Sequence, residues 1–125
     1  MTAVARFSLV AIDCPDPAAL AEFYSSITGW TVGPVEGDWV ELQSDSGPTI
    51  AFQQVADYRP PEWPSWEHPQ QMHLDFDVLD LDEGERQVLA LGARKTDAQP
   101  GSTWRVFLDP ADHPFCLVLD KSMRP

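Results

Sequence analysis

The stretch Asp16-Pro17-Ala18-Ala19-Leu20-Ala21-Glu22-Phe23-Tyr24-Ser25-Ser26-Ile27-Thr28-Gly29-Trp30 reads as one helix with both ends marked. Asp16 is an N-cap, because its carboxylate accepts backbone N–H groups that have no partner in the first turn. Pro17 stands at the first helical position, where its missing N–H costs nothing. Leu20, Phe23, Tyr24 and Ile27 follow at helical spacing and form one apolar face. Gly29 ends the helix. Working outward, the apolar run Phe7–Cys14 is a strand, stopped by the two prolines after it. Beyond the helix come three short strands, Thr31–Val35, Trp39–Gln43 and Pro48–Val55. Turns at Glu36-Gly37-Asp38 and Ser44-Asp45-Ser46-Gly47 separate them. The unit is β-α-β-β-β.

The same order then restarts. Residues 57–69 hold four prolines and two tryptophans, which forbids a helix or a central strand and predicts a packed connector. Met72–Val78 is a strand, and Asp80 caps a helix over Leu81–Leu91 with Val88 and Leu91 on its buried side. Gly92 ends that helix, and Arg94–Asp97, Trp104–Asp109 and Phe115–Asp120 are strands. One overlay at an offset of about 64 residues places Leu9 on His73, Asp16 on Asp80, Gly29 near Gly92 and Trp39 near Trp104. The same overlay sets Ile50-Ala51-Phe52 against Phe115-Cys116-Leu117.

Three motifs sit in order along the chain: the capped helix with Phe23-Tyr24 and Gly29-Trp30, the strand His73-Leu74-Asp75-Phe76-Asp77-Val78-Leu79-Asp80, and the turn Asp109-Pro110-Ala111-Asp112-His113-Pro114-Phe115-Cys116. Together they resemble the vicinal oxygen chelate superfamily, in its glyoxalase-like and bleomycin-resistance-like branch, over residues 6 to 120. The resemblance implies an α+β fold in which two βαβββ modules form a cup-shaped, eight-stranded mixed sheet with helices outside. It implies a single domain over residues 1–125, with module one at about 6–56, a connector at 57–70 and module two at about 71–121. It also implies a homodimer.

In metal-dependent members of that superfamily, strands one, four, five and eight each offer one inward ligand. The matching positions here are Leu9, Ala51, His73 and Cys116. Only His73 is a usual ligand, and Cys116 stands where many members carry Glu. The full metal site is therefore not expected, and neither is a cofactor. If a divalent metal binds, His73 and Cys116 hold it, with Gln53 two residues beyond Ala51 as a further donor. The implied function is binding of a small molecule in the cup. The alternative is an enzyme, a lyase or isomerase of the glyoxalase type with His73 as acid or base, or a dioxygenase-like member.

Residue types sharpen these expectations. Strand alternation sets His73, Asp75 and Asp77 on one face, opposite Met72, Leu74, Phe76 and Val78. A histidine beside carboxylates suits proton transfer. Cys116 reads either as a ligand or nucleophile beside His73, or as a small buried hydrophobe. Trp39 and Trp104 occupy matching places and are expected to flank the cup. Trp63, on the connector with Trp66, closes over an apolar ligand or seals an interface. Arg105 suits a ligand carboxylate or a neighbouring acid. The ligand-binding set is thus Trp39, Gln53, Trp63, Asp75, Trp104, Arg105 and Cys116, with His73 catalytic.

Composition narrows the partners. The chain has 125 residues and a net charge of −12, from 20 acidic and 8 basic groups. Such a surface repels phosphate backbones and anionic membranes, so neither nucleic acid nor membrane is an expected partner. No segment approaches the ~20 apolar residues of a membrane span. The N-terminal residues lack a signal-peptide pattern, and the two cysteines read as free thiols, so the expected address is the cytoplasm.

Overall fold

The computed structural model describes residues 3–125. The chain divides into two compact units, Met1–Tyr58 and Arg59–Pro125.

In the first unit, β1 (Leu9–Cys14) leads into α1 (Pro17–Thr28), followed by β2 (Thr31–Val32), β3 (Trp39–Gln43) and β4 (Thr49–Gln54). The four strands form one open sheet in the order β1-β4-β3-β2. β1 runs parallel to β4, and the other pairs are antiparallel. The helix forms where its end signals require. The Asp16 carboxylate accepts the Ala19 N–H at 3.1 Å. Gly29 adopts φ +75°, a left-handed turn that glycine enters without a steric penalty, and its N–H donates to the Ser25 carbonyl at 2.8 Å. Leu20, Ala21, Phe23 and Tyr24 are buried. The Tyr24 ring stacks on Phe52 of β4, with centroids 5.8 Å apart. Val40, Leu42, Ile50 and Phe52 complete this core.

The second unit repeats the order. β5 (Leu74–Val78), α2 (Leu81–Ala90), β6 (Arg94–Lys95), β7 (Trp104–Leu108) and β8 (Pro114–Leu119) give a sheet in the order β5-β8-β7-β6. β5 is parallel to β8, matching β1 and β4. The Asp80 carboxylate accepts the Glu83 N–H at 3.0 Å, and Asp82 and Glu83 add negative charge to the positive end of the helix. Gly84 lets α2 approach the sheet closely, since a methyl there would lie 3.1 Å from Leu117 Cδ1 and 3.2 Å from Val78 Cγ1. Phe107 and Phe115 stack at 5.7 Å in the core of this unit.

The ladders confirm the repeat. Ala51 pairs with Ala11 on one side and Glu41 on the other. Cys116 pairs with Asp75 and Val106. Trp39 and Trp104 then fall at corresponding places, opposite Gln53 and Val118. The eight strands hydrogen-bond as two open sheets of four, one in each unit.

Several boundaries differ from the sequence expectation. β2 ends at Val32, before Gly33-Pro34, and β6 ends at Lys95. β5 starts at Leu74, so Met72 lies outside the strand and is exposed. α2 stops at Ala90, leaving Leu91 as an exposed cap residue where a buried one was expected. An isolated apolar residue at a helix end has no neighbouring turn to hold it against the sheet.

Candidate functional site

Helix α2 determines which side of the second sheet is covered. Arg105 and Leu117 are cross-strand partners. Arg105 reaches Asp82 and Glu85 on α2, and Leu117 lies against Gly84, so this face of the sheet lies under the helix. Alternation places the neighbouring residues on the other face. That opposite face carries Asp75, Asp77, Trp104, Val106, Cys116 and Val118.

Three chemically active groups meet there. His73 precedes β5 by one residue, and its Nε2 lies 3.1 Å from Asp75 Oδ1. Both side chains reach solvent, at 39% and 56% exposure, so the pair is open to an incoming molecule. Cys116 is buried on the neighbouring strand, on the rung beside Asp75. Its thiol is pushed up to about 12, first by burial and then by the charge of Asp75 and a hydrogen bond to its carboxylate. The ligand atoms of His73, Asp75 and Cys116 all lie within 4.8 Å of one another.

The thiol's state bears on the nucleophile reading. A nucleophilic cysteine needs a lowered pKa. Burial and the neighbouring Asp75 carboxylate favour the protonated thiol, which disfavours Cys116 as a nucleophile. It remains a hydrogen-bond donor and a sulfur atom next to a carboxylate and an imidazole. That donor set fits an ion with borderline-soft preferences, provided the thiol loses its proton.

Trp104 is half-buried on the same face. Its indole lies flush against Gly101, where any side chain would collide with the ring. Arg105 is on the helix side instead. Its guanidinium donates to Asp82 Oδ1 at 2.8 Å and Glu85 Oε1 at 3.1 Å, and Lys95 joins Glu85 at 2.9 Å. These partners hold Arg105 away from the face that carries His73, so it serves the helix–sheet contact and not a ligand carboxylate. Trp63 is half-buried on the connector, which an N–H to carbonyl bond from Glu62 to His68 at 2.7 Å closes into a loop. Trp66 on that loop is fully exposed.

In the first unit the corresponding face of the sheet carries Trp39, Glu41, Ala51 and Gln53. The Trp39 indole N–H donates to Glu41 Oε2 at 3.0 Å. Leu9 pairs with Thr49, one step along β4 from Ala51, and neither Leu9 nor Ala51 offers a donor atom. Asp13 stands opposite Gln53. Reading the sequence for site residues overlooked Glu41 and Asp13. The alternation Trp39-Val40-Glu41-Leu42-Gln43 carried the signal for Glu41, since it sets that residue on the same face as Trp39.

Comparison with known proteins bears on the fold. Residues 9–118 match a family model described as a glyoxalase-like domain. Among solved structures, a glyoxalase/bleomycin resistance protein/dioxygenase family enzyme from Burkholderia phytofirmans PsJN superposes with a TM-score of 0.66 at 19% identity, covering 88% of this chain and 94% of that one. A fosfomycin resistance protein from Listeria monocytogenes superposes with a TM-score of 0.68 at 16% identity, covering 96% and 95%. A glyoxalase-related enzyme from Fulvimarina pelagi gives 0.65 at 20% identity, covering 94% and 89%. At these identities the likeness is one of fold. A search of curated proteins finds no match.

Proposed function

The chain belongs to the glyoxalase-like domain family, and from that premise we propose that it binds a small organic molecule against the face of the second sheet that α2 leaves uncovered. The observation that carries this reading is the convergence of His73, Asp75 and Cys116, whose ligand atoms lie within 4.8 Å of one another. Ligand sites combine an apolar wall with a few convergent polar groups. Val118 and the Trp104 indole supply the wall, while His73 and Asp75 supply open polar groups. Similarity to a fosfomycin resistance protein supports capture of a foreign compound as the task. The reading includes a homodimer in a reducing compartment, which light scattering under reducing conditions tests by mass.

A panel of small molecules, scored by melting temperature and tryptophan fluorescence, tests the binding reading. At least one compound is expected to raise the melting temperature of the native chain and to lose most of that effect in Asp75→Asn. If no compound shifts either signal, the reading fails.

A second reading is a lyase or isomerase in which His73 moves a proton. The 3.1 Å contact between His73 Nε2 and Asp75 favours it, because a carboxylate orients an imidazole for acid–base work. An activity that survives His73→Ala unchanged removes this reading.

A further inference from the structure

We propose that the molecule bound on the second sheet is an organic cation, a protonated amine carried on an aromatic or apolar body, seated along the rung Asp77–Val118–Trp104. This class rests on the binding reading above, to which it adds the ligand's charge. Register defines the seat. Asp77 pairs with Val118, and Val118 pairs with Trp104. Neighbouring strands lie about 4.8 Å apart, so Asp77 and Trp104 stand about 10 Å from each other across the rung. Asp75 lies two residues before Asp77 on β5, about 6.6 Å along the same face. Asp75 and Asp77 are exposed, and Val118 and Trp104 are half-buried, so the whole rung reaches solvent. Gly101 packs against the Trp104 ring and braces it. The seat thus offers two carboxylates at one end, an aliphatic floor, and an indole at the other end.

Charge complementarity selects the occupant. The uncovered side of β5, β8 and β7 carries no Lys or Arg, because Arg105, the one basic residue on these strands, turns to Asp82 and Glu85 on the helix side. On the short strand β6, Lys95 joins Glu85, and Arg94 is held by Asp112. Asp75 meets the His73 imidazole, and no ion pair among the described residues reaches Asp77. An anionic compound placed here would face two carboxylates with no cation to offset them. An ammonium group instead donates charge-assisted hydrogen bonds to them. Its apolar body then removes Val118 and the indole from water. A carboxylate-bearing ligand, which an inward Arg105 would suit, is disfavoured on the same grounds.

The test uses the full chain in buffer containing a chelator, and three probes on one skeleton: 2-naphthylmethylamine, 2-naphthylmethanol and 2-naphthoic acid. Binding is measured by isothermal titration calorimetry at low salt and at about 0.2 M salt. The amine is expected to bind about tenfold or more tightly than the alcohol or the acid, and to weaken as salt screens the carboxylates. Asp77→Asn is expected to weaken the amine by about fivefold or more while leaving the alcohol unchanged. Asp82→Asn removes an equal charge on the helix side, and is expected to change the amine's affinity by less than about twofold. Both variants replace exposed side chains, so neither removes a piece of the core. Acid or alcohol bound as tightly as the amine, or an unchanged amine affinity in Asp77→Asn, overturns the proposal and leaves the binding reading standing. Failure of all three probes to bind overturns it as well, and the binding reading falls with it only if the wider panel also gives no shift.

Discussion

Asp109 is a buried carboxylate, 1% exposed, whose Oδ1 accepts the N–H groups of Ala111 and His113 at 2.8 and 3.0 Å. It holds the turn that delivers β8, and so places Cys116. Removing it leaves two backbone donors without that acceptor next to the core. Asp109→Ala is expected to cost about 2–3 kcal/mol of stability, measured by urea denaturation. Cys116 makes a pH-dependent contribution of opposite character. Its folded thiol holds its proton up to about 12, whereas an unfolded one releases it near 9.0. Between those values the folded chain binds more protons, so stability is present below pH 9 and falls as pH rises toward 12. The native chain is therefore expected to lose stability across that range relative to Cys116→Ala, in denaturation curves taken at stepped pH.

At the scale of elements, helix ends and the repeat were legible in the sequence because their causes are local. Asp16, Asp80 and Gly29 each act on backbone groups within a turn of themselves. The face shared by His73, Asp75 and Asp77 was equally legible, since it needs only the two-residue period of a strand. The closeness of Asp75 to Cys116 was not. It depends on the register of a parallel pair whose strands are far apart in sequence, and no local pattern encodes that register. Arg105 was open for the same reason. Its partners Asp82 and Glu85 lie more than four helical turns away in sequence and meet it only once α2 packs on the sheet. Arg105→Met is accordingly expected to lower the melting temperature by a few degrees while leaving the affinity for any compound found in the panel within about twofold. A large loss of affinity with unchanged stability would return Arg105 to the ligand-binding set.

For the molecule as a whole, the duplication accounts for the fold and also for the chemistry that is missing. Two βαβββ units give matching rungs centred on Ala51 and Cys116, but only the second brings an imidazole, a carboxylate and a thiol together. The first unit presents Trp39, Glu41 and Gln53 instead. Among the described residues no helix is long and apolar enough to cross a membrane. The net charge of the chain is −12. The proposed function rests on the face of the second sheet that α2 leaves uncovered. Hydrogen–deuterium exchange of the full chain, with and without a compound that raises its melting temperature, tests that placement directly. The account predicts slowed exchange centred on residues 73–77 of the β5 edge, absent in Asp75→Asn. Slowing confined to the 62–68 loop or to the first unit, with residues 73–77 unchanged, would contradict it.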